Sequence, residues 1–263
     1  MNTKVEYRVD QKDKVWTFTI DRPESRNSLT WDIRTALLNT IREAERDPNC
    51  GALVITGAGD RAFCAGGDVQ NQLSSLDDWP HDTMNRLEIV GDIARRILTT
   101  SIIVVSAVNG AAFGGGCFMA LAADIVVAGK NAKFGFGFAK RGLVPDWAGF
   151  YILPRLVGMA RAKSLLLRGA TVDAENALNM GLVAEFAEQD VLAKAQQIAE
   201  EVANGPRIAL AMTKRVLARS FETGLEGMLT YELLSQTVAR GTDDHLEGVR
   251  SFLEKRDPVF KGR

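Results

Sequence analysis

The chain has 263 residues, of which 46% are hydrophobic and 25% are charged, and its formal net charge is -1. This composition is typical of a globular protein, and it gives no overall attraction to nucleic acid or to an anionic membrane surface. No apolar run is long enough to span a bilayer, and the first residues contain no apolar signal segment. We therefore expect one large cytoplasmic α/β domain that binds neither nucleic acid nor membrane.

The cysteines and histidines argue against metal and disulfide chemistry. Cys50, Cys64 and Cys117 are unevenly spaced and form no C-x-x-C pair, so they fit neither a zinc site nor a disulfide framework. The two histidines, His81 and His245, lie in polar segments that are typical of solvated helix starts. We therefore expect no metal site, and a catalytic histidine is disfavoured.

The first part of the chain alternates predicted strands with predicted helices. Segments 5–9 and 15–20 alternate apolar and polar residues and predict a hairpin. Thr30 is placed to cap a helix whose apolar residues recur at helical spacing. Further buried strands are predicted at 52–56, 102–108 and 125–127, with a helix at 87–98. Strands that alternate with helices indicate a largely parallel sheet with helical crossovers.

The last part of the chain is predicted to be almost wholly helical. From residue 150 onward, only segment 182–184 is typical of a strand. We predict a core over residues 1–189 and a helical region over residues 190–263. Because this helical region is short for an independent core, we expect it to pack on its own core or on another subunit.

Two glycine-rich turns follow predicted strands, at 63–69 and at 109–118. Backbone N–H groups at a helix N-terminus attract negative charge, and for charge that appears only during a reaction this geometry is an oxyanion hole. Ligands bind at the carboxyl ends of parallel strands, so Gly67 and Gly115 are the candidate donors. A tight turn that needs positive φ is the simpler alternative. A phosphate loop is disfavoured because neither Lys-Ser nor Lys-Thr follows Gly116.

Several motifs lie in one characteristic order along nearly the whole chain. They are Asp21-Arg22-Pro23 with Asn27-Ser28, Phe63-Cys64-Ala65-Gly66-Gly67-Asp68, Asn109-Gly110 through Gly114-Gly115-Gly116, Ala123-Asp124-Ile125, Gly142-Leu143-Val144-Pro145-Asp146, Leu153-Pro154-Arg155, Ala174 to Gly181-Leu182-Val183, and Phe252 through Pro258-Val259-Phe260. The set resembles the crotonase superfamily, also called the enoyl-CoA hydratase/isomerase family.

This resemblance implies a fold, an assembly and a substrate class. The fold is a crotonase-like ββα spiral core with a C-terminal helical trimerisation region, assembled as a homotrimer or a dimer of trimers. The substrate is a coenzyme A thioester, whose carbonyl oxygen the N–H groups of Gly67 and Gly115 polarise. No metal or redox cofactor is implied, because coenzyme A enters as part of the substrate.

The chain departs from the hydratases of this family at two positions. Those enzymes carry two glutamates, which hold and activate water, where this chain has Phe118 and Phe138. One acid remains nearby, Asp146, at the position where the family's isomerases place a single acid; these include ring-1,2-epoxyphenylacetyl-CoA isomerase and the Δ3,Δ2-enoyl-CoA isomerases. One carboxylate is enough to move a proton between C2 and C4 while the enolate charge sits on the thioester oxygen.

The predicted activity is therefore double-bond isomerisation, with Asp146, Gly67 and Gly115 as catalytic residues. Asp146 could instead be the N-cap of the helix that follows it. The alternative activities are enoyl-CoA hydratase and acyl-CoA hydrolase or dehalogenase, and a binding scaffold is the non-enzymatic alternative. Dehalogenase ranks lower because Phe138 stands where the family's dehalogenase has a tryptophan.

The resemblance also implies residues that bind coenzyme A. Arg22 and Arg26 lie in the loop that meets its phosphates, although plain solvated arginines would look the same. Ala65 is placed to offer its carbonyl to the adenine amino group. Lys255 and Lys261 lie in the C-terminal segment, which in this family reaches the coenzyme A of a neighbouring subunit.

A further set of residues is predicted around the acyl group. Phe118, Phe138 and Trp147 are candidates to line an aromatic-rich pocket, together with Phe136 and Phe150. Such a pocket suits an aryl, cyclic or fatty acyl chain, and Trp147 could equally be a core residue. Segment 70–83 is predicted to shape this pocket. Asp68 flanks the first oxyanion donor and is expected to cap or orient that turn.

Overall fold

The computed structural model of the protein describes residues 5–68 and 80–263. Its strands are β1 (Tyr7–Lys12), β2 (Val15–Ile20), β3 (Ala52–Gly57), β4 (Ala62–Cys64), β5 (Ile103–Val108), β6 (Ala111–Phe113), β7 (Ile125–Gly129), β8 (Lys133–Gly135), β9 (Thr171–Asp173) and β10 (Glu185–Ala187). Its helices are α1 (Trp31–Arg46), α2 (Pro80–Thr99), α3 (Gly115–Leu121), α4 (Gly149–Arg168), α5 (Ala174–Asn179), α6 (Val191–Ala203), α7 (Arg207–Leu217), α8 (Leu225–Arg240) and α9 (Asp243–Glu254).

The strands form two sheets. The larger has the order β1-β2-β3-β5-β7-β10 and is parallel apart from the β1–β2 hairpin. The smaller has the order β4-β6-β8-β9, in which β4, β6 and β8 are parallel. Consecutive strands go alternately to the two sheets, as in β3 and β4, then β5 and β6, then β7 and β8. The predicted α/β architecture is confirmed, and a helix follows each of these strand pairs.

Both faces of the larger sheet are covered, as a parallel sheet requires. One face packs against α1 and α2, whose apolar stripes join the main core. The other face packs against α6, which presents the small side chains of Val191, Ala195, Ala199 and Ala203. All six residues of β2 are buried because α6 covers its threonine face, and Gln196 Nε2 donates to Thr17 Oγ1 at 3.4 Å.

The local predictions are most accurate where the sequence pattern is long. The β1–β2 hairpin is confirmed, as is the cap of α1, where Thr30 Oγ1 accepts from the Ile33 N–H at 3.3 Å. Strands β4, β6, β8 and β9 were not predicted, because three residues are too few to show a period. The strand expected at 182–184 instead lies at Glu185–Ala187.

The helices after residue 190 differ in how they are attached. Helix α6 lies beyond the predicted boundary, yet its apolar face is part of the core. Helix α7 is attached through buried Lys214, whose Nζ contacts Asp124 Oδ2 at 2.6 Å and the Ile102 carbonyl at 2.9 Å. Helix α8 buries none of its residues, and α9 buries only Asp244 and Ser251.

The three cysteines, Cys50, Cys64 and Cys117, are buried free thiols. Burial raises the pKa of Cys50 to about 11 and the pKa of Cys64 to about 12, which leaves both protonated near neutral pH.

Across residues 5–68 and 80–263, no helix is long and apolar enough to cross a membrane. The same residues contain no group of three histidine, cysteine or acidic side chains arranged to hold a metal ion.

Candidate active site

The two predicted glycine turns lie side by side. They follow β4 and β6, which are neighbouring parallel strands of the smaller sheet, so both turns lie at the same sheet edge. A Cβ atom on Gly66 would lie 2.8 Å from the Phe113 carbonyl oxygen and 3.4 Å from the Gly115 nitrogen. The second turn therefore needs glycine at position 66, whose φ is +89°.

The geometry of the second turn leaves a buried backbone donor without an acceptor among the described residues. Gly115 is the first residue of α3, and Gly114 is its N-cap, with φ +54°. The first N–H groups of a helix have no acceptor within the helix. Within the part of the chain that the structure describes, neither the Gly67 N–H nor the Gly115 N–H donates to a protein acceptor. Two such donors on adjoining turns are suited to bind one oxygen that becomes negative during a reaction.

Asp146 brings a carboxylate to the second turn from the loop before α4. Its Oδ1 lies 3.5 Å from the position of a Cβ atom on Gly115. Oδ1 is buried and has no hydrogen-bond partner among the described residues. Burial raises the pKa of Asp146 to about 6, while the positive charge of Arg34 limits the rise. A carboxyl group with a pKa near neutrality is suited to both accepting and donating a proton.

The alternative role for Asp146, as a helix N-cap, is wrong. Helix α4 begins at Gly149, and its N-cap is Ala148, with no side-chain hydrogen bond to the helix. Asp146 contributes only its backbone oxygen, which accepts from the Gly149 N–H at 2.9 Å. Both carboxylate oxygens are therefore left unused by the helix terminus.

The two residues after Asp146 have strained backbones. Trp147 and Ala148 adopt left-handed conformations, with φ values of +51° and +56°. Such a conformation costs about 1–3 kcal/mol for a residue other than glycine, and it persists only where the surroundings enforce it. The Trp147 side chain is 2% exposed, and its Nε1 lies 2.7 Å from the Cβ position of Gly115. The buried indole therefore holds the chain in the conformation that directs Asp146 towards the glycine turn.

Aromatic rings occupy the neighbourhood where hydratases of the resembled family carry acids. The Phe118 ring lies 5.7 Å from the Phe136 ring and 6.0 Å from the Phe138 ring, measured between centroids. Phe118 is fully buried, and Phe138 is 8% exposed. The Phe138 ring is 3.8 Å from the Cβ position of Gly114, so it borders the turn directly. Phe150, by contrast, is 60% exposed at the start of α4.

The two arginines predicted to bind phosphates have different environments. The Arg22 guanidinium is largely buried and forms ion pairs with Glu6 and Asp68. The Arg26 side chain is exposed, and no ion pair of Arg26 is found in the described residues. The Arg26 carbonyl accepts from the Ala65 N–H at 3.0 Å, which places Arg26 beside the first glycine turn. Arg26 is therefore the more accessible of the two side chains.

The remaining predicted residues lie away from this edge or outside the described residues. Lys255 and Lys261 are exposed in the C-terminal segment, where the Lys261 N–H donates to Asp244 Oδ1 at 2.6 Å. No described contact within the chain joins either lysine to the glycine turns. Most of segment 70–83, which was predicted to shape the pocket, lies outside the described residues.

Two residues that support the site, Asn27 and Arg34, were not predicted as site residues from the sequence. Asn27 is fully buried and donates from Nδ2 to the carbonyls of Ala62, at 2.7 Å, and Ala58, at 3.0 Å. Arg34 on α1 is near enough to Asp146 for its positive charge to limit the rise in the pKa of Asp146. Arg34 follows Ile33 of the apolar stripe, and this position alone predicts only a solvent-facing charge. Asn27 lies in a polar loop, where its burial gives no sequence signal.

A buried carboxylate beside two adjoining glycine turns is suited to a reaction in which a carbonyl substrate becomes an oxyanion. The sequence model of the enoyl-CoA hydratase/isomerase family matches residues 10–263, and the chain belongs to this family. The protein is accordingly an enzyme that processes acyl-CoA thioesters.

Relatives with different activities are about equally similar to the chain. It is 36% identical over 251 residues to the 1,2-epoxyphenylacetyl-CoA isomerase of Escherichia coli, an alignment that covers 95% of each protein. It is 35% identical to the 2,3-dehydroadipyl-CoA hydratase of the same organism, covering 97% of this chain and 98% of the hydratase. The crystal structure of an enoyl-CoA hydratase from Polaromonas sp. JS666 matches with a TM-score of 0.93 and 31% identity, covering 97% and 99% of the two chains.

Proposed function

We propose that the protein is an enoyl-CoA isomerase that moves a double bond by a 1,3-proton shift. The observation that carries this proposal is the carboxylate of Asp146, whose buried Oδ1 lies beside Gly115 and has no hydrogen-bond partner in residues 5–68 and 80–263. The identity to 1,2-epoxyphenylacetyl-CoA isomerase supports an isomerase, although the hydratase relative is nearly as similar.

In the proposed reaction, the thioester oxygen of a 3-enoyl-CoA accepts hydrogen bonds from the Gly67 and Gly115 N–H groups. Asp146 removes a proton from C2, and the electron pair is delocalised onto the thioester oxygen as a dienolate. Asp146 then returns the proton to C4, which leaves the double bond between C2 and C3. The product is an isomer of the substrate, so the reaction needs no water, metal or redox cofactor.

The surroundings of Asp146 favour isomerisation over hydration. Hydration requires a water molecule that is held and deprotonated, which the resembled hydratases achieve with two glutamates. Phe118 and Phe138 stand at those positions here, and a phenyl ring neither accepts a proton nor anchors water. The aromatic cluster also gives the space beside the Gly114 turn an apolar wall, which offers no hydrogen bond to a water molecule.

The deciding experiment uses ¹⁸O-labelled water and two substrates, a 3-enoyl-CoA and a 2-enoyl-CoA, with products followed by mass spectrometry. Isomerase activity predicts that the 3-enoyl thioester converts to the 2-enoyl thioester without incorporation of label. Rapid formation of labelled 3-hydroxyacyl-CoA from the 2-enoyl thioester, without isomerisation, would establish a hydratase instead. The Asp146→Asn variant serves as the control for background exchange.

Two further assays separate the remaining alternative activities. Release of free coenzyme A, measured with a thiol reagent, would indicate a thioester hydrolase, and halide release from 4-chlorobenzoyl-CoA would indicate a dehalogenase. Binding of acyl-CoA without any turnover would indicate a scaffold.

We further propose that Arg26 contacts the coenzyme A phosphates and that Lys255 and Lys261 reach the coenzyme A of a neighbouring subunit in a homotrimer or a dimer of trimers.

A further inference from the structure

The Arg22 side chain lies behind the first glycine turn and is largely enclosed by protein, with 15% of it exposed. Its Nε lies 3.0 Å from Glu6 Oε1. Its Nη1 donates to the Ser28 carbonyl at 3.1 Å, to Ser28 Oγ at 2.9 Å, and to Asp68 Oδ2 at 3.4 Å. One guanidinium group therefore joins the start of the chain, the loop before α1 and the residue that follows Gly67.

The loop that carries Arg22 also holds the backbone of the glycine turn. The Leu29 N–H donates to the Gly66 carbonyl at 2.8 Å, and Leu29 and Gly67 form an isolated parallel bridge. On the other side of the turn, the Ala65 N–H donates to the Arg26 carbonyl at 3.0 Å. These bonds hold the turn from residue 65 to residue 67, and the contact between Arg22 and Asp68 holds the residue after it.

We propose that Arg22 is a positioning residue for the oxyanion hole. By holding Ser28 and Asp68 together, it fixes the direction of the Gly67 N–H. This inference rests on the proposed function, in which the Gly67 N–H donates to the thioester oxygen. The contribution of such a donor depends on its aim, and a displacement of about 1 Å can cost about 10²-fold in rate.

The charges around Arg22 explain why its removal should displace the turn. Glu6 and Asp68 are both partly buried, with side chains 30% and 18% exposed, and Arg22 lies between them. Without the guanidinium, two carboxylates would face one another across a partly desolvated space. Removal of one partner from a partly buried network leaves its charges less well compensated. We expect the resulting repulsion to displace Asp68 and, with it, the adjoining Gly67.

These contacts also separate positioning from phosphate binding, the role that the family resemblance implies for Arg22. The Nε and Nη1 atoms are already engaged with protein, whereas Arg26 four residues later is exposed. If Arg22 acts through Gly67, its loss should change the polarisation of the thioester carbonyl. If it held a phosphate, its loss should change the affinity for free coenzyme A.

Infrared difference spectroscopy tests the proposal directly. Saturated hexanoyl-CoA, with and without ¹³C at the thioester carbonyl, is bound to the full-length protein, and the shift of the carbonyl band from its position in water is measured. The wild type should shift the band to lower wavenumber, and Arg22→Ala should lose most of this shift. Turnover of the 3-enoyl-CoA should fall by about 10–10²-fold, while the Kd for free coenzyme A changes less than twofold.

The matched control is Arg8→Ala, which removes a neighbouring surface arginine. Arg8 Nε lies 3.0 Å from Asp21 Oδ2, and the Arg8 side chain is 56% exposed. This variant should retain the full band shift. Asp68→Ala should lose the shift as Arg22→Ala does, and the double variant should lose no more than either single variant, because the two residues act as one unit.

Several outcomes would overturn the inference. An Arg22→Ala protein with the wild-type band shift would contradict it, and so would one whose only defect is a tenfold weaker Kd for free coenzyme A. If Arg22→Ala does not fold, the comparison of Asp68→Ala with Asp68→Asn decides, because the amide oxygen can still accept from Arg22 and should preserve more of the shift. A wild type without any band shift would contradict the proposed function itself.

Discussion

The glycine-turn site and the C-terminal helices α8 and α9 are opposite kinds of structure within one chain. At the site, buried groups are placed by their neighbours, as when the Trp147 indole packs against Gly115. In α8 and α9, large apolar side chains are exposed, among them Leu225, Leu229, Leu233, Leu246, Phe252 and Leu253. The difference separates a site whose described groups pack closely within one chain from helices whose large apolar side chains are exposed in that chain.

The buried Lys214–Asp124 pair lies where the closely packed core ends and the sparsely packed C-terminal helices begin. Lys214 is 7% exposed, and its ammonium group also donates to the Ile102 carbonyl at 2.9 Å. It anchors α7 beside β5 and β7, so the helices up to α7 are attached to the core. Helices α8 and α9 come after the last such anchor, and their packing within the chain is correspondingly sparse.

The largest effect is expected at the acid of the site. Asp146→Asn keeps the size of the side chain but removes the proton acceptor, so kcat for the 3-enoyl-CoA should fall by about 10²–10⁴-fold. The fold should survive, since this side chain does not cap α4. Steady-state kinetics give the loss, and calorimetry should find acyl-CoA binding nearly unchanged. A folded variant that turns over at the wild-type rate would exclude Asp146 as the acid.

The next largest effect is expected at the second donor. Gly115→Pro removes the N–H group, and loss of an oxyanion donor typically costs about 10²–10³-fold in kcat. Gly115→Ala keeps the N–H but places a Cβ atom 2.7 Å from Trp147 Nε1, so it should also reduce kcat by displacing the indole next to Asp146. Turnover of the same 3-enoyl-CoA measures both losses.

The control for these two substitutions is Gly137→Ala, where a Cβ atom would meet no other atom within 4 Å. This variant should retain wild-type turnover. Circular dichroism and particle size must first establish that each Gly115 variant is folded and assembled. Full activity in a well-folded Gly115→Pro protein would show that this N–H is not a donor to the substrate.

A smaller, graded effect is expected from pH. Asp146 must be ionised to take the C2 proton, and its pKa is raised to about 6. Below that pH, kcat/KM should therefore fall about tenfold for each unit of pH, with a plateau above it. A pH–rate profile whose only acidic limb lies in the ordinary aspartate range would contradict the role of burial.

Stability should change with pH in the opposite direction. Because the pKa of Asp146 is raised from 3.8 to about 6, protonation stabilises the folded state more than the unfolded one. This contribution is fully present below about pH 4 and is lost as pH rises through about 6, at a cost of order 2–3 kcal/mol. Asp146→Asn should lack this loss in denaturant titrations at pH 4 and pH 7.

The site also shows which features could be predicted from the sequence and which could not. The adjoining glycine turns followed from strand–turn–helix patterns, although the turns end strands of the smaller sheet, whose three-residue strands give no periodic signal. Asp146 was predicted as the acid because the family pattern leaves one acid near those turns in this chain, and the structure places its carboxylate beside Gly115. The strained backbone of Trp147 and Ala148 could not be predicted, since neither residue favours a left-handed conformation and only tertiary packing enforces it.

The smallest effect on turnover is expected from substitutions in the C-terminal helices. There we expect the oligomeric state to change more than the rate. Leu225, Leu229 and Leu233 recur every four residues on α8 and are all exposed, so they form one apolar stripe. Leu233→Asp places a charge in this stripe. If the stripe is buried between subunits, the substitution should convert a trimer or a dimer of trimers into monomers in light scattering at micromolar concentration.

The control is Leu167→Asp, which changes a leucine on α4 that is 77% exposed, against 67% for Leu233, and should leave the assembly state unchanged. Assembly also bears on the ligand, because Lys255 and Lys261 do not contact the glycine turns within one chain. If they serve a neighbour's coenzyme A, Leu233→Asp should weaken coenzyme A binding severalfold, while the pH–rate profile keeps its limb near pH 6. A wild type that is already monomeric would leave the stripe without its expected partner. It would also require the coenzyme A contacts to come from within a single chain, with exposed Arg26 beside the first glycine turn as the candidate cation.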